Sequence, residues 1–309
     1  MLKIGNLNIK YNTMLSPMAS ITDISFRKLL DEIGSIGLMV SEMISAEGVN
    51  RLNKRTLDMM RSFEFRTPQF IQLFGSKPEP FVNAVKYIEK ETNFSGIDIN
   101  MGCPANKVVK RGAGAFLLKD PEKIASIIRE IRKNTKLPLT VKIRLGYSKV
   151  NVFEIIDVLE NEGVDAITVH FRLKSSGYNE KADWEYASLI KERIKTVFIG
   201  NGDIWSALDA KGKLKFVDAL MIGRGAVSNP LIFAEIAGEK IDNLRFKQIL
   251  ERLLELIEEY CKPEFRLAKL KAYTRFMVHN KINSKKLRQS IYNSKSFKEA
   301  GNYFKSIVL

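Results

Sequence analysis

Short apolar, β-branched runs alternate with longer amphipathic stretches along most of this chain. The runs Thr13–Met18, Leu38–Met43, Pro68–Phe74, Gly96–Asn100, Leu139–Leu145, Ala166–Phe171, Val197–Gly202 and Ala219–Gly223 have the length and residue types of buried strands. Between them, apolar residues recur at helical spacing in Asp23–Glu32, Pro78–Glu91, Pro121–Lys133, Val152–Glu162, Trp184–Arg193 and Ala207–Leu214. Strand then helix, repeated about eight times, predicts an α/β fold, a (β/α)8 TIM barrel. An open doubly wound sheet is the runner-up. It would carry a Gly-x-Gly-x-x-Gly turn after its first strand, and none is present there.

After Asp242 the strand signals stop. Leu244–Tyr260 puts Ile249, Leu250, Leu253, Leu254 and Ile257 on one face, and Pro263 is expected to break it. Helical pieces then follow at Arg266–Val278, Lys285–Asn293 and Lys295–Phe304. The expected division is a catalytic barrel over residues 1–241 and a small all-helical domain over 242–309. Most of the tail aromatics, Tyr273, Phe276, Tyr292, Phe297, Tyr303 and Phe304, are expected to pack rather than to stack on bases.

Composition adds compartment and partner. Hydrophobic residues make up 45% of the 309, and no apolar run approaches the roughly 18–20 residues of a membrane span. A polar, interrupted N-terminus and only two cysteines, Cys103 and Cys261, predict a cytoplasmic protein with no disulfide framework and no membrane contact. Fifty Lys and Arg against 35 Asp and Glu leave a net charge of +15. From Lys240 onward there are 16 basic and 7 acidic residues, so about +9 of that charge lies in the last 70 residues. Such an excess points to a polyanionic partner, with nucleic acid the foremost class.

The chemistry collects at the C-terminal ends of the expected strands, where barrel enzymes place their sites. The fourth strand runs through Ile97 and Ile99 to Asn100 and then breaks at Gly102-Cys103-Pro104, which puts a thiol on a proline-stiffened loop. The first ends in Ser16-Pro17-Met18-Ala19, small and stiff enough to lie against a flat ring. The third brings Gln72, whose amide can donate and accept at a heterocycle edge. The fifth carries Lys142 and Arg144 on one face, and Lys142 sits between Val141 and Ile143 in an otherwise buried strand. The sixth ends in His170. The seventh and eighth end in Gly200-Asn201-Gly202-Asp203 and Gly223-Arg224-Gly225, a matched pair of glycine loops suited to a phosphate. A phosphate there and a lysine in the barrel fit flavin mononucleotide (FMN), with Lys142 near the N1/O2 edge and His170 hydrogen-bonded to the cofactor. No metal site is expected, because neither His170 nor His279 has companions at ligand spacing.

At these residues the chain resembles the tRNA-dihydrouridine synthases, most of all the bacterial B-type subgroup. The likeness rests on SPMASITDISFRKL, IQLFG, DINMGCPANKVVKRGAGAFLLKDP, TVKIRLGY, ITVHFR, IGNGDI and DALMIGRGA, which occur in order from about Ile4 to Pro230, and it continues weakly into EFRLAKLKAYTRFMV. The resemblance implies reduction of the uridine 5,6 double bond in tRNA by FMN, with NADPH as electron source and Cys103 as the general acid that protonates C5. It implies uracil contacts from Asn100, Lys142 and Arg144. It also implies FMN contacts from Pro17, Met18, Ala19, Gln72, Lys142, His170, Asn201, Gly202, Asp203, Gly223 and Arg224. A protonated thiol and a flipped-out base agree with that chemistry. A phosphate grip does not by itself separate tRNA from ribosomal RNA.

The chain departs from the family pattern at Phe171, where glycine is usual, and at Tyr178-Asn179-Glu180, so no substrate role is assigned to Arg172 or Tyr178. Two other readings compete. One is an FMN barrel acting on a small pyrimidine or enone, against which the basic tail speaks. The other is a catalytically idle RNA-binding protein, against which the joint presence of Asn100, Cys103, Lys142 and His170 speaks.

Overall fold

A computed structural model of the chain describes residues 1–61, 63–176, 180–278 and 284–308. It opens with a hairpin of β1 (Leu2–Ile4) and β2 (Leu7–Ile9) that turns at Gly5, where φ is +56°. Eight parallel strands then close into a barrel. They are β3 (Thr13–Leu15), β4 (Leu38–Ser45), β5 (Gln69–Phe74), β6 (Gly96–Asn100), β7 (Leu139–Gly146), β8 (Ala166–Leu173), β9 (Val197–Asn201) and β10 (Ala219–Ile222), with β10 paired back onto β3. The expected TIM barrel is therefore the observed architecture.

Strand periodicity explains how the interior is layered, because residues i and i+2 share a face. Near the N-terminal ends, Met14, Leu38, Val40, Phe70, Ala166, Ile199, Ala219 and Met221 form an apolar cluster that Ile4 and Ile9 of the hairpin complete. One step further along, the same faces turn polar: Phe70 gives way to Gln72, Ala166 to Thr168 and His170, and Ile199 to Asn201. The barrel is a dry plug below and a polar cup above. Gly96 is needed for this closure, since a Cβ there would come within 2.3 Å of the Phe70 ring.

The outer helices begin where local chemistry favours it. Asp23 caps Ile24–Ile33 by accepting from the Phe26 N–H, and Asp120 caps Pro121–Lys133, with proline in the first turn. Asn243–Tyr260, capped by Asp242, packs on Ile24–Ile33, with Arg252 bridging to Glu32 at 2.8 Å and Ser25 donating to the Leu256 carbonyl. A single apolar core runs from the barrel's outer layer into this helix and those after it.

Several expectations are corrected. Pro263 opens the helix Pro263–Met277 rather than merely ending its predecessor, because a proline at the first helical position lacks only an N–H that would have no partner anyway. The first barrel strand stops at Leu15, short of the expected Met18, since Pro17 has no N–H to continue a ladder. The hairpin and the short helices Ala46–Asn50, Lys54–Met59, Asn106–Val109, Arg224–Ser228 and Ile232–Ile236 were not expected, being too short for periodicity to register. In the tail, Tyr273 and Phe304 are buried as expected, whereas Tyr292 and Tyr303 are exposed. No helix among the described residues is long and apolar enough to cross a membrane.

Candidate active site

The upper cup of the barrel is built strand by strand. On β6, Asn100 ends the ladder and folds its side chain back over the loop that follows. Its Oδ1 accepts from the Gly102 N–H at 3.2 Å and from the Cys103 N–H at 2.9 Å. The Cys103 carbonyl in turn accepts from Ala115 N–H at 3.0 Å. Gly114 lies beneath it, where a Cβ would come within 2.8 Å of that carbonyl oxygen. The thiol thus sits on a loop pinned from both sides. Burial pushes its pKa above the ordinary value, outweighing the opposing pull of the Ala105 N–H and the Arg144 and Lys142 cations. It stays a protonated thiol at neutral pH.

Adjacent strands supply the cations. Lys142 on β7 donates to Asn201 Oδ1 on β9 at 2.9 Å, and Asn201 Nδ2 donates to the Met221 carbonyl at 2.6 Å. Arg144, two residues on, is almost wholly buried and donates to the Gly102 carbonyl at 2.8 Å and to the Leu173 carbonyl at 3.0 Å. It braces the thiol loop from behind. Gln72 on β5 accepts from Asn100 Nδ2 at 2.8 Å and donates to Asp98 Oδ2 at 2.6 Å.

A third cluster lies at the ends of β8, β9 and β10. Arg172 places both oxygens of Asp203 within 2.8 Å of its Nη2, and the same carboxylate accepts from Arg224 at 2.8 Å and from the Ala182 N–H at 2.8 Å. Asp203 itself has φ of +47°, a left-handed conformation that aspartate tolerates better than most residues. Burial alone would raise its pKa, but the Arg172 and Ala182 hydrogen bonds prevail and hold it below the usual carboxylate range. His170 Nε2 lies 3.0 Å from Arg172 Nη1. Burial drives the His170 pKa well below its ordinary value, and the four charged side chains that add to this, Lys142, Arg144, Arg172 and Arg224, are all cations.

The expected site residues are thus largely brought together: Gln72, Asn100, Cys103, Lys142, Arg144, His170, Asn201, Gly202, Asp203 and Arg224 are joined by hydrogen bonds, strand pairing and close approach toward the C-terminal ends of the strands. Gly223 abuts Met18 and Ser16, where a Cβ would come within 3.2 Å of the Met18 sulfur, so the loop Ser16–Ala19 forms the adjoining wall. In the structure Arg224 pairs with Asp203, which bridges two guanidiniums. Asp98 and Thr140 were missed because they lie within apolar strand patterns that read as core. Arg172 turns inward to a structural bridge, and Tyr178 and His279 lie outside the described residues. Among the described residues no group of three or more His, Cys, Asp or Glu side chains could hold a metal ion.

Lys142 offers a direct electrostatic check. Burial, and then the Arg144 charge, lower its pKa from 10.5 to about 7. A lowered lysine pKa means that the fold disfavours the charged form. That penalty is full below about pH 7 and fades as pH rises toward 10.5, the value for the unfolded chain. Lys142→Met should therefore stabilise the ligand-free protein by roughly 2 kcal/mol at pH 6 and by clearly less at pH 9, read by urea unfolding. Equal effects at both values would show that the ammonium carries no such penalty.

A family profile described as "Dihydrouridine synthase (Dus)" matches residues 14–307. The chain belongs to the dihydrouridine synthase family. The family's "tRNA-dihydrouridine synthase B" of Escherichia coli (strain K12) is 36% identical over 270 residues, covering 84% of this chain and 83% of the relative. The "Probable tRNA-dihydrouridine synthase" of Rickettsia prowazekii (strain Madrid E) is 35% identical over 242 residues, 77% of this chain and 73% of the relative. That of Aquifex aeolicus (strain VF5) is 32% identical over 298 residues, 94% of each chain. Among solved structures, the old yellow enzyme homologue from Zymomonas mobilis superposes with a TM-score of 0.51 at 12% identity, over 79% of this chain and 94% of that one. Morphinone reductase in complex with tetrahydroNAD also gives 0.51 at 12% identity, over 79% and 92%. These likenesses establish a shared barrel fold for this family member.

Proposed function

We propose that this protein reduces the 5,6 double bond of uridines in tRNA, binding FMN in the barrel mouth and drawing electrons from NADPH. The observation that carries the reading is a half-buried, neutral thiol held by Asn100 beside Lys142 and Arg144, at the same strand ends as the Arg172–Asp203–Arg224 bridge. Lys142, Arg144, Arg172 and Arg224 surround a histidine kept neutral, and the single carboxylate among them, Asp203, leaves an excess of positive charge that favours an anionic, phosphate-bearing cofactor over a neutral ligand. When bound, the flavin supplies the hydride for C6 of the uracil ring.

The chain's own residues do the rest. Cys103 holds the proton destined for C5, and burial keeps it on sulfur until the substrate carbon takes it. Asn100 and Lys142 would orient the uracil, with Arg144 contributing its charge from behind the loop, where it holds the Gly102 carbonyl. Lys142 would also neighbour the flavin, and an anionic partner there would return its pKa toward the ordinary lysine value. Pro17, Met18, Ala19, Gln72, His170, Asn201 and Gly202 would hold the cofactor, and Gly223 and Arg224 its phosphate, with Asp203 fixing Arg224 in place.

The RNA is held from outside the cup. Lys107, Lys110 and Arg111 are exposed on and just after the short helix beyond Cys103, and Arg275, Lys285, Lys286, Arg288, Lys295, Lys298 and Lys305 are exposed on the helices of the 242–309 region and at their ends. A base-modifying enzyme must extract its nucleotide from the stack, and phosphate contacts spread over two surfaces would offset part of that cost.

Binding to tRNA should weaken steeply with salt, and replacing Lys285, Lys286 and Arg288 together with alanine should lower the slope of log K against log[salt] by about 2 to 3. A filter-binding or fluorescence titration at several salt concentrations reads this. An unchanged slope would move the interface elsewhere. The function itself is tested by mapping dihydrouridine in RNA from a strain lacking the gene. The reading requires loss at one or more tRNA positions, and full retention in tRNA would refute it.

A further inference from the structure

Among the buried ionisable groups that the reading above leaves unused, one lies inside the barrel next to the expected contacts. Asp98 lies on β6 two residues before Asn100, wholly buried in the barrel. Its Oδ1 accepts from Thr140 Oγ1 at 2.6 Å and its Oδ2 from Gln72 Nε2 at 2.6 Å. Burial lifts its pKa to about 6, against the opposing pull of the Thr140 and Gln72 hydrogen bonds and of Lys142. A carboxylate in such a place is costly, and an apolar residue would pack there more cheaply.

The connectivity suggests what it does. Gln72 Oε1 accepts from Asn100 Nδ2 at 2.8 Å, and Asn100 Oδ1 accepts from the Cys103 and Gly102 N–H groups at 2.9 and 3.2 Å. Both ends of this chain have fixed chemical sense, since a main-chain N–H only donates and an ionised carboxylate only accepts. Each side-chain amide between them could face either way if isolated. Anchored at Asp98, Gln72 must turn its nitrogen inward and its oxygen outward. Asn100 must then do likewise, which leaves its oxygen over the thiol loop.

We propose that Asp98, held by Thr140, is a positioning residue that fixes the direction of the Gln72–Asn100 amide chain and thereby the main chain bearing Cys103. This rests on the proposed function for its catalytic consequence, but its geometric content is independent of it. The Thr140 hydroxyl can either donate or accept, so Asp98→Asn alone can keep the chain's direction: its new amide nitrogen donates to Thr140 and its oxygen still accepts from Gln72. Thr140→Val alone leaves an acceptor for Gln72 as well. In the double variant the valine cannot accept, so either orientation of the introduced amide leaves a donor unpaired or turns both neighbours over.

The test is a double-mutant cycle with two readouts. Each single variant should lower kcat for dihydrouridine formation less than about fivefold, and the double should lower it at least tenfold beyond their product, with KM for tRNA unchanged. In the flavin-free protein, alkylation of Cys103 by iodoacetamide should follow the same pattern, accelerating at least tenfold only in the double variant as the loop loosens. Additive losses, or an unchanged alkylation rate in the double variant, would overturn the proposal. If the double variant fails to fold, the wild-type protein decides: NMR should show through-hydrogen-bond coupling from the Gln72 side-chain amide to the Asp98 carboxyl carbon, and its absence would overturn the proposal. Should the wild type make no dihydrouridine at all, the alkylation and coupling results still judge Asp98 separately.

Discussion

Replacing Cys103 with alanine is expected to lower dihydrouridine formation by about two to three orders of magnitude while the protein keeps its flavin. The size follows from the role of a positioned acid, which typically contributes about 10²–10⁴-fold. The retention follows from geometry, because the Cys103 main chain is held by Asn100 and Ala115 and its sulfur carries none of those bonds. Cys103→Ser should fall in between at best, since a hydroxyl is a far weaker acid than a thiol. The purified variant should remain yellow, and its reduction by NADPH should proceed at the wild-type rate. Chromatography of nucleosides from treated tRNA measures the product. A variant as active as the wild type would remove the thiol from the chemistry.

The second large effect concerns Asp203. This carboxylate joins Arg172 on β8 to Arg224 just after β10 and also accepts from the Ala182 N–H, so three segments meet on one side chain. Arg172 is 2% exposed at its side chain, which makes it expensive to leave without its counter-ion. Asp203→Ala should therefore cost about 3 kcal/mol in urea unfolding, and roughly a tenfold loss of flavin affinity should accompany it as the two glycine loops lose their common anchor. The sign of the pH dependence is fixed. A carboxylate whose folded pKa is depressed contributes fully above its unfolded value of about 3.9 and loses that contribution as pH falls toward the folded value. The gap between wild type and variant should thus persist at pH 5 and shrink only below about pH 4. A gap that vanished by pH 6 would mean that the bridge contributes nothing electrostatically.

Much of the barrel was legible because its strands announce themselves twice, by apolar content and by the break that follows each one. Lys142 reads as purposefully placed from Val141 and Ile143 alone, and in the structure it donates to Asn201 with Arg144 and Asp98 nearby. What escaped was whatever lacked a local signature. Asp98 sits between Ile97 and Ile99 and reads as strand; only the approach of Gln72, 26 residues away, shows it to be an anchor. The Arg172–Asp203 bridge spans 31 residues, so no local pattern announces it. Pro263 illustrates a different failing: the same residue ends one helix and begins another, and position relative to the turn decides which.

The proposed reaction requires a flat anionic cofactor and a pyrimidine to meet beside the Cys103 thiol, and one reconstitution measures this. Purified protein, FMN and NADPH should be incubated with unmodified tRNA transcript under anaerobic conditions, and the RNA digested and weighed by mass spectrometry. The account predicts uridines heavier by two hydrogens at defined positions, in an amount that matches the NADPH consumed, and none when Cys103→Ala is used on the same timescale. A colourless protein that takes up no FMN, or NADPH consumption with every uridine unchanged, would contradict it.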